Sequence, residues 1–517
     1  MDLTLSAVVF SLFASLLTLC YILRSWTPYA NKNIESPQKL PEAEGAWPII
    51  GHFHLFCGKK LPHVLLGSMA EKYGPIFAIK LGTQKALVVS DWKVAKDCYS
   101  SNDKVFLNRP KSIGVEVMAY NYAMSGLGPY GPYWQKMRKI TRQLLSVNQI
   151  EMSEHLRISE IKESMEDIYD FWLKNKSCQN QMVKIDMNQW FGCLTMNIVL
   201  RTIVGQRYNF NNEKGVQFSK LIRFFSEQVG SFVLRDYVSV LRRLDWGGYE
   251  KAMRKAAKET DCILRGWLQE HKQRRKLKDE HHDIMDMLLS RIDGATSQDF
   301  EGFEPDAVVK ATSLAYISGA ADSTRVTLTW ALSLLISNPD VLKKARDELS
   351  HHVGRNRQVE ESDIKNLVYL QAIFKESMRL YPASLLLPPR ESLEDCVVSG
   401  YNVPKHTRLI VNVSKIHRDP QVWPNPDEFR PERFLTSHQN VDVKGNQYEL
   451  LPFGSGRRRC PGMFLGLRLV QLALASLIHG FEFEKADDEP DDMSATAGLT
   501  NSITQCNILL KPIISVK

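Results

Sequence analysis

The sequence predicts a mainly α-helical protein with small β-sheets, preceded by a single N-terminal transmembrane helix. Three observations predict it. Leu3 to Leu23 is an uncharged run of 21 residues, and about 20 apolar residues cross a bilayer as a helix. Most of the remaining chain carries apolar residues at helical spacing in long stretches. Strand-like runs are short and few.

Composition bounds what the chain does. Its 517 residues are 44% hydrophobic and 24% charged, ordinary for a globular protein with a substantial core. Length alone allows about three domains or one very large one. The formal net charge of +8 (66 − 58) is modest for this size. A nucleic-acid partner is not expected, since it needs a dense basic face; an acidic membrane surface or acidic protein partner fits. The nine cysteines are scattered, odd in number and without a C-x-x-C pair. This argues against a zinc site or a disulfide framework and for a reducing compartment around the main body.

The N-terminal run is flanked by Asp2 on one side and by Arg24, Lys32 and Lys39 on the other. The positive flank places the body on the cytosolic side. A cleaved signal peptide is disfavoured: there is no basic n-region, the apolar core is long and no clear cleavage site follows. Residues 1–23 are therefore read as a retained anchor. Residues 24–51 carry Pro28, Pro37, Pro41, Gly45, Pro48 and Gly51 and read as a stiff, proline-containing linker. Residues 52–517 form the body.

Within the body, Leu61–Tyr73 reads as a helix, and Ile76–Ile79 and Ala86–Val89 as short strands around Gly82-Thr83. Further helices are expected over Val94–Ser100, Trp134–Ser146, Glu151–Lys174, Gln189–Val204, Gly215–Phe232, Glu250–Lys278 and Asp283–Arg291. The charge-rich His271–His282 segment reads as a solvated helix end. No internal repeat or low-complexity segment is present.

Pro305 to Ile336 reads as one helix, with Pro305 in its first turn and Asn338-Pro339 as its stop. At 1.5 Å per residue it is about 48 Å long. Its middle, Gly319-Ala320-Ala321-Asp322-Ser323-Thr324-Arg325, breaks an apolar run with small residues, a carboxylate and two hydroxyls. Two readings fit. An acid beside an alcohol can pass protons into a dry pocket. Alternatively, small residues make a helix contact and Asp322 pairs with Arg325 at i+3.

Glu376 and Arg379 share a helix face at i, i+3, and Pro431-Glu432-Arg433-Phe434 offers a second arginine in a proline-bounded loop. A carboxylate held by two guanidinium groups ties loop to helix. Last comes Pro452-Phe453-Gly454-Ser455-Gly456-Arg457-Arg458-Arg459-Cys460-Pro461-Gly462, followed by an apolar run from Met463 to His479. Backbone N–H groups, three arginines and the start of a helix place positive potential near the sulfur, which favours a thiolate metal ligand. A buried free cysteine before a core helix is the alternative.

Together these segments resemble a cytochrome P450, from the anchor to about Cys506. The family's F-x-x-G-x-R-x-C-x-G loop is met by Phe453, Gly456, Arg458, Cys460 and Gly462; its E-x-x-R pair by Glu376 and Arg379; its P-E-R-F loop by Arg433; its W-x-x-x-R by Trp134 and Arg138. FGSGRRRCPG, KESMRLYP, VVSGYNVPK and YGPYWQKMRK look like plant microsomal A-type enzymes, and EESDIKNLVYLQAIFKESMRLYP is most similar to plant family 82. The resemblance implies the cytochrome P450 fold, haem b (iron protoporphyrin IX) with Cys460 as axial thiolate, and Trp134, Arg138, Arg390 and Arg458 on the haem propionates. Phe453 would shield the sulfur side. Asp322, Ser323 and Thr324 would serve oxygen activation.

The family pattern of the long helix is [A/G]-G-x-[D/E]-T-[T/S]. Ala320 replaces its second glycine and Ser323 its threonine, and Arg325 stands where a small residue is usual. Serine keeps the hydroxyl but lacks the methyl that fixes the rotamer. Arg325 paired to Asp322 would compete for the proton-relay role.

By resemblance, NADPH acts indirectly through a membrane-bound, acidic cytochrome P450 reductase, with Lys136, Lys139, Arg142, Lys444 and Arg457 on the docking face. The catalytic body would face the cytosol from the endoplasmic reticulum membrane. Substrate contacts are expected from Ser112–Leu127, Phe224–Phe225, Leu314–Ala320, Ala383–Leu387 and Leu499–Ile503, with Glu116 as the candidate acid for an amine. These mostly apolar stretches suit a lipophilic multi-ring molecule. The implied function is monooxygenation, with molecular oxygen, of a lipophilic plant specialised metabolite such as an alkaloid, flavonoid, terpenoid or lignan. Two alternatives remain: a haem-thiolate enzyme that forms rings or bridges or rearranges its substrate, and a non-enzymatic membrane scaffold.

Overall fold

The computed structural model describes residues 38–58, 60–177, 181–208, 213–230, 234–238, 248–277, 283–486, 500–502 and 506–513. The chain divides into two compact units, Met1–Lys39 and Leu40–Lys517. The anchor expected at Leu3–Leu23 lies outside the described residues, as do residues 24–37 of the linker. The larger unit begins at Leu40, so it takes in residues 40–51, which the sequence reading places in the linker. Leu40 and Ala43 are buried, and Ala43 N–H donates to Ala78 O at 2.9 Å. The prolines there shape an ordered strap along the first sheet.

Helices dominate the described chain, as the periodicity predicts. The expected helix starts shift toward local caps. Asp91 Oδ1 accepts from Lys93 N at 2.7 Å and Val94 N at 3.0 Å, so Trp92–Tyr99 starts two residues before Val94. Pro132 opens Pro132–Leu144 at N1. The stretch expected as one helix from Glu151 is two, Val147–Met152 and Glu154–Asn175. Ser153 leaves helical geometry (φ −92, ψ 11), and its hydroxyl donates back to Ile150 O at 3.0 Å.

The long helix runs Pro305–Ser337, 33 residues, with Asn338 ending it before Pro339. Its inner faces pack on Met187–Val204, Met463–Gly480 and Val368–Leu380. Leu328, Ala331, Leu332 and Leu335 join one core cluster with Phe191, Leu194, Phe374 and Leu474. Val308, Val309, Leu314 and Ile317 join a second with Met137, Val199, Phe225 and Leu264. Met463–Gly480 is long and apolar enough to cross a membrane, yet Leu472, Ala473, Leu474 and Ala475 are fully enclosed in the first cluster. It is a core helix.

The sheets are small. Ile76–Leu81 pairs antiparallel with Gln84–Val89, Ile76 opposite Val89. Gln84–Val89 pairs parallel with Arg408–Val411, and Arg390–Glu391 closes the sheet. Val183–Asp186, Asn507–Pro512 and Phe481–Lys485 form an antiparallel sheet. Cys396–Val398 and Tyr401–Val403 make a hairpin.

One buried ionic knot joins these parts. Glu376 receives Arg379 Nε at 2.6 Å and Arg433 Nε at 2.9 Å, all three side chains being at most 3% exposed. Arg379 also donates to His417 O at 2.8 Å and Pro426 O at 2.7 Å. His417 Nε2 accepts from Leu451 N at 2.8 Å, so its Nδ1 carries the proton toward Arg379 O at 3.1 Å. The Glu376–Arg379 helix is thereby tied to the residue that precedes the cysteine loop.

Candidate active site

The cysteine loop is a tight turn held from within and from one side. Cys460 N–H donates to Phe453 O at 3.0 Å, Gly454 N–H to Leu451 O at 3.0 Å and Arg459 N–H to Gly456 O at 3.1 Å. Gly456 sits at φ +71, and a Cβ there would lie 2.1 Å from Asp103 Oδ1, so only glycine fits. Asp103, 4% exposed, accepts from the Arg457 backbone N at 3.1 Å, from Arg457 Nη1 at 3.1 Å and from Arg390 Nη1 at 3.0 Å. Sequence reasoning missed Asp103, which carries no motif signal.

The loop faces a cavity of about 400 Å³ shared with the long helix. Cys460 keeps accessible surface, and that surface belongs to the cavity wall; protein packs around the rest. Burial raises the Cys460 thiol above its ordinary pKa, against the Gly462 N–H and the charges of Arg138 and Arg459, which pull it down. The loop's charges offset burial only in part, so a bound metal cation would further favour the thiolate.

Four arginines line the same cavity: Arg109, Arg138, Arg390 and Arg458. Arg138 Nη2 donates to Arg459 O at 2.6 Å, and Arg458 to Leu107 O at 2.5 Å and Gly128 O at 2.9 Å. Arg458 lies over the Trp134 ring, 4.8 Å from its centroid. Arg390 is held by the protein itself, donating to Asp103 and, at 2.6 Å, to Ser455 O. Arg109, outside the sequence reading, donates to Pro388 O and, at 2.7 Å, to Pro389 O. Arg109 Nε, Arg138 Nε and Arg458 Nη1 are buried donors with no partner.

Burial, then the charges of Arg109, Arg390 and Arg138, push Arg458 down to about 8. Burial and Arg390 push Arg109 down to about 9. A guanidinium keeps its proton in proteins, so a bound anion would relieve the cost of burying these charges together. The cluster fits a ligand with two carboxylates. Gly126, Gly319, Gly462 and Gly466 also line the cavity, and a Cβ on any of them would meet nothing within 4 Å. A large flat group has room there.

The long helix presents Ala315, Tyr316, Ser318, Gly319, Ala320, Ser323, Thr324 and Thr327 to this cavity. Ser323 Oγ donates to Gly319 O at 2.6 Å. Asp322 is not in the wall. Its Oδ1 accepts from Arg325 Nη2 at 2.6 Å, and its Oδ2 from the hydroxyl of Thr500. The i, i+3 pair read from the sequence is formed. Arg325 extends to Asn188 Oδ1 and, at 3.0 Å, to Ser502 Oγ. A Cβ on Gly192 would come within 3.3 Å of Arg325 Cδ, so a glycine on the facing helix makes room for this bulky departure. Trp134, Arg138, Arg390, Phe453, Arg458 and Cys460 thus meet Ser323 and Thr324 around one cavity, with Asp322 behind the wall.

A second cavity of about 520 Å³ shares Arg109, Leu127, Leu387, Pro388 and Thr500 with the first. Of the expected substrate segments, Ser125–Leu127, Ala315–Tyr316, Ser318–Ala320, Ala383–Ser384, Leu387 and Thr500 contribute to the inner wall; Leu499 and Ile503 lie outside the described residues. Phe224 and Phe225 pack in the core while the neighbouring Ser226 lines the cavity. Glu116 lines neither cavity, which removes it as an acid for a bound amine. Of the basic docking residues, Arg457 is engaged with Asp103, Lys444 with Asp442 at 2.9 Å and Lys136 with Asp299 O at 2.7 Å.

The cytochrome P450 family model matches residues 41–509. The chain is 47% identical over 484 residues to a strychnine-10-hydroxylase of Strychnos nux-vomica, covering 92% of this chain and 91% of that one. It is 43% identical over 521 residues to xanthotoxin 5-hydroxylase CYP82C4 of Arabidopsis thaliana, covering 98% of each. A zebrafish cytochrome P450 solved with progesterone superposes with a TM-score of 0.74 at 24% identity, over 88% of this chain and all of that one.

Proposed function

The chain belongs to the cytochrome P450 family, and we propose that this monooxygenase hydroxylates a lipophilic plant specialised metabolite with electrons relayed from NADPH by a membrane-bound cytochrome P450 reductase. The observation that carries the reading is the single cavity that holds Cys460 at one wall, three orphaned arginine donors at its edge and the Ser323–Thr324 face opposite. When bound, haem would supply the oxidising chemistry, which a cysteine thiolate favours.

The chain's own residues do the rest. Cys460 would hold the iron. Arg109, Arg138 and Arg458 would neutralise the propionates with donors that have no partner in the protein. Trp134 supports Arg458 from below, and Arg390 with Asp103 fixes the loop that presents the sulfur. Phe453 covers the sulfur side. Ser323 and Thr324 line the cavity opposite Cys460, and Asp322 lies behind them, bonded to Arg325 and Thr500.

The same walls bear on substrate class. Among the described residues no Asp or Glu lines the inner cavity. Several wall hydroxyls are committed to backbone carbonyls: Ser318 to Leu314 O at 2.7 Å, Thr327 to Ser323 O at 2.8 Å and Thr202 to Ile198 O at 2.7 Å. Recognition is therefore mainly apolar, which suits an uncharged polycyclic member of the alkaloid, flavonoid, terpenoid or lignan classes. The body works on the cytosolic face of the endoplasmic reticulum membrane.

Microsomes carrying this protein and a plant reductase, screened against panels of those four classes, test the proposal. NADPH-dependent products one oxygen heavier than a panel compound support it. Turnover of hydroperoxides without reductase, and none with NADPH, would establish the rearranging alternative instead.

A further inference from the structure

We propose that Thr500, on the C-terminal segment rather than on the long helix, carries protons between Asp322 and the cavity, and that Arg325 positions the acid for it. The inference rests on the monooxygenase reading above. Asp322 is absent from the cavity wall, and among the described residues the hydroxyl bonded to its carboxylate is that of Thr500. Thr500 itself lines both cavities. The neighbouring Ser323 hydroxyl donates to Gly319 O at 2.6 Å, pointing along its own helix.

The segment is held by two further bonds to the long helix and one to the turn after Val368–Leu380. Trp330 Nε1 donates to Asn501 O at 2.8 Å, Arg325 Nη2 to Ser502 Oγ at 3.0 Å, and Asn501 N to Ala383 O at 2.8 Å. Thr500 therefore stays within reach of Asp322 without relying on their mutual bond. Arg325 fixes Asp322 Oδ1 and leaves Oδ2 to Thr500.

The step is a proton shift through one hydroxyl, which both donates and accepts. In the structure Thr500 donates to Asp322 Oδ2; once Asp322 takes a proton, that bond reverses, Asp322 donates to Thr500 Oγ, and Thr500 passes its own proton to a water or ligand oxygen in the cavity. One O–H bond breaks and one forms at Thr500, and one proton leaves Asp322. Asp322, whose side chain is 11% exposed, regains its proton from water.

The test uses the full-length, haem-loaded protein with reductase, comparing wild type with Thr500→Val, Thr500→Ser and Thr500→Ala. Hydrogen peroxide formed per NADPH oxidised, without added substrate, reports failed proton delivery. The infrared carboxylate stretch of Asp322, assigned by difference against Asp322→Asn, reports the bond independently of turnover. T500V and T500A are expected to raise the peroxide fraction several-fold and to shift the Asp322 band, while T500S restores both. An unmoved band in T500V and T500A, or wild-type peroxide in either variant, overturns the proposal. Should T500V lose its carbon-monoxide difference spectrum, the T500A and T500S pair decides. That spectrum in the wild type separately tests the haem-thiolate reading.

Discussion

Gly456 stands at a position where a single methyl group decides whether the site forms. Its φ of +71 is left-handed, and the missing Cβ is what lets Asp103 approach the loop. Gly456→Ala should therefore leave a folded chain that fails to retain haem, read as loss of the Soret band relative to protein absorbance. Retention of wild-type haem content would contradict this account of the loop. Ser323 shows a different economy. The methyl of threonine is absent, yet the hydrogen bond to Gly319 O fixes the rotamer instead. Arg325, the most conspicuous departure on the long helix, is accommodated because Gly192 faces it and because Asp322, Asn188 and Ser502 share its donors. Cys460, Arg458, Trp134 and Arg138 were legible because their spacing is a motif. Arg109 and Asp103 were not: each reaches the site across a long sequence separation and makes its contacts through geometry that no local pattern encodes. Thr500 was expected only within the Leu499–Ile503 substrate segment, and its bond to Asp322 had no sequence signal.

Among the elements, long helices were legible because their apolar spacing repeats over many turns. Ends were less so, because capping bonds such as those of Asp91 and Asp186 decide them. The break at Ser153 escaped the periodicity, since the apolar pattern continues across it. The Glu376–Arg379–Arg433 knot joins a helix, a turn and the approach to the cysteine loop, and every member is buried. Removing the carboxylate leaves two guanidiniums uncompensated, which costs about 3–5 kcal/mol. Glu376→Gln should thus lower the melting midpoint sharply and reduce haem content with it, measured by circular dichroism on the holoprotein. Arg433→Ala, which leaves the Arg379 pair intact, should cost less. Equal stability of E376Q and wild type would show that the knot is dispensable.

For the whole molecule, acid sensitivity follows from buried neutral histidines. Burial and then Arg379 hold His417 down at about 3, and burial and then Arg418 hold His63 at about 4, against an ordinary value of 6.5. The folded state takes up fewer protons than the unfolded chain between those values and 6.5. Stability is therefore full above pH 6.5 and falls as pH drops through that window. His271 acts in the opposite sense: burial lowers it, but Asp283 at 2.8 Å and Trp267 O raise it overall. Its contribution is present at low pH and is lost as pH rises through its folded value. With two groups against one, the melting midpoint should fall between pH about 7 and about 5. His417→Gln should flatten that fall, and an equally steep fall in the variant would remove His417 as its source.

Electron delivery also belongs to this scale. If the reductase docks on a basic face, rising ionic strength should slow reduction. Lys139→Glu and Arg142→Glu, both exposed, should slow it further in stopped-flow traces at low salt. Salt-independent rates would place the docking face elsewhere.

The central claim is that Cys460, presented by a loop that Asp103 and Arg390 fix, binds haem iron as a thiolate in the arginine-edged cavity. The carbon-monoxide difference spectrum of the reduced protein tests it most directly. The wild type should give the thiolate-type Soret shift, and Cys460→Ser should lose it. A wild-type protein that binds haem without that shift would contradict the account.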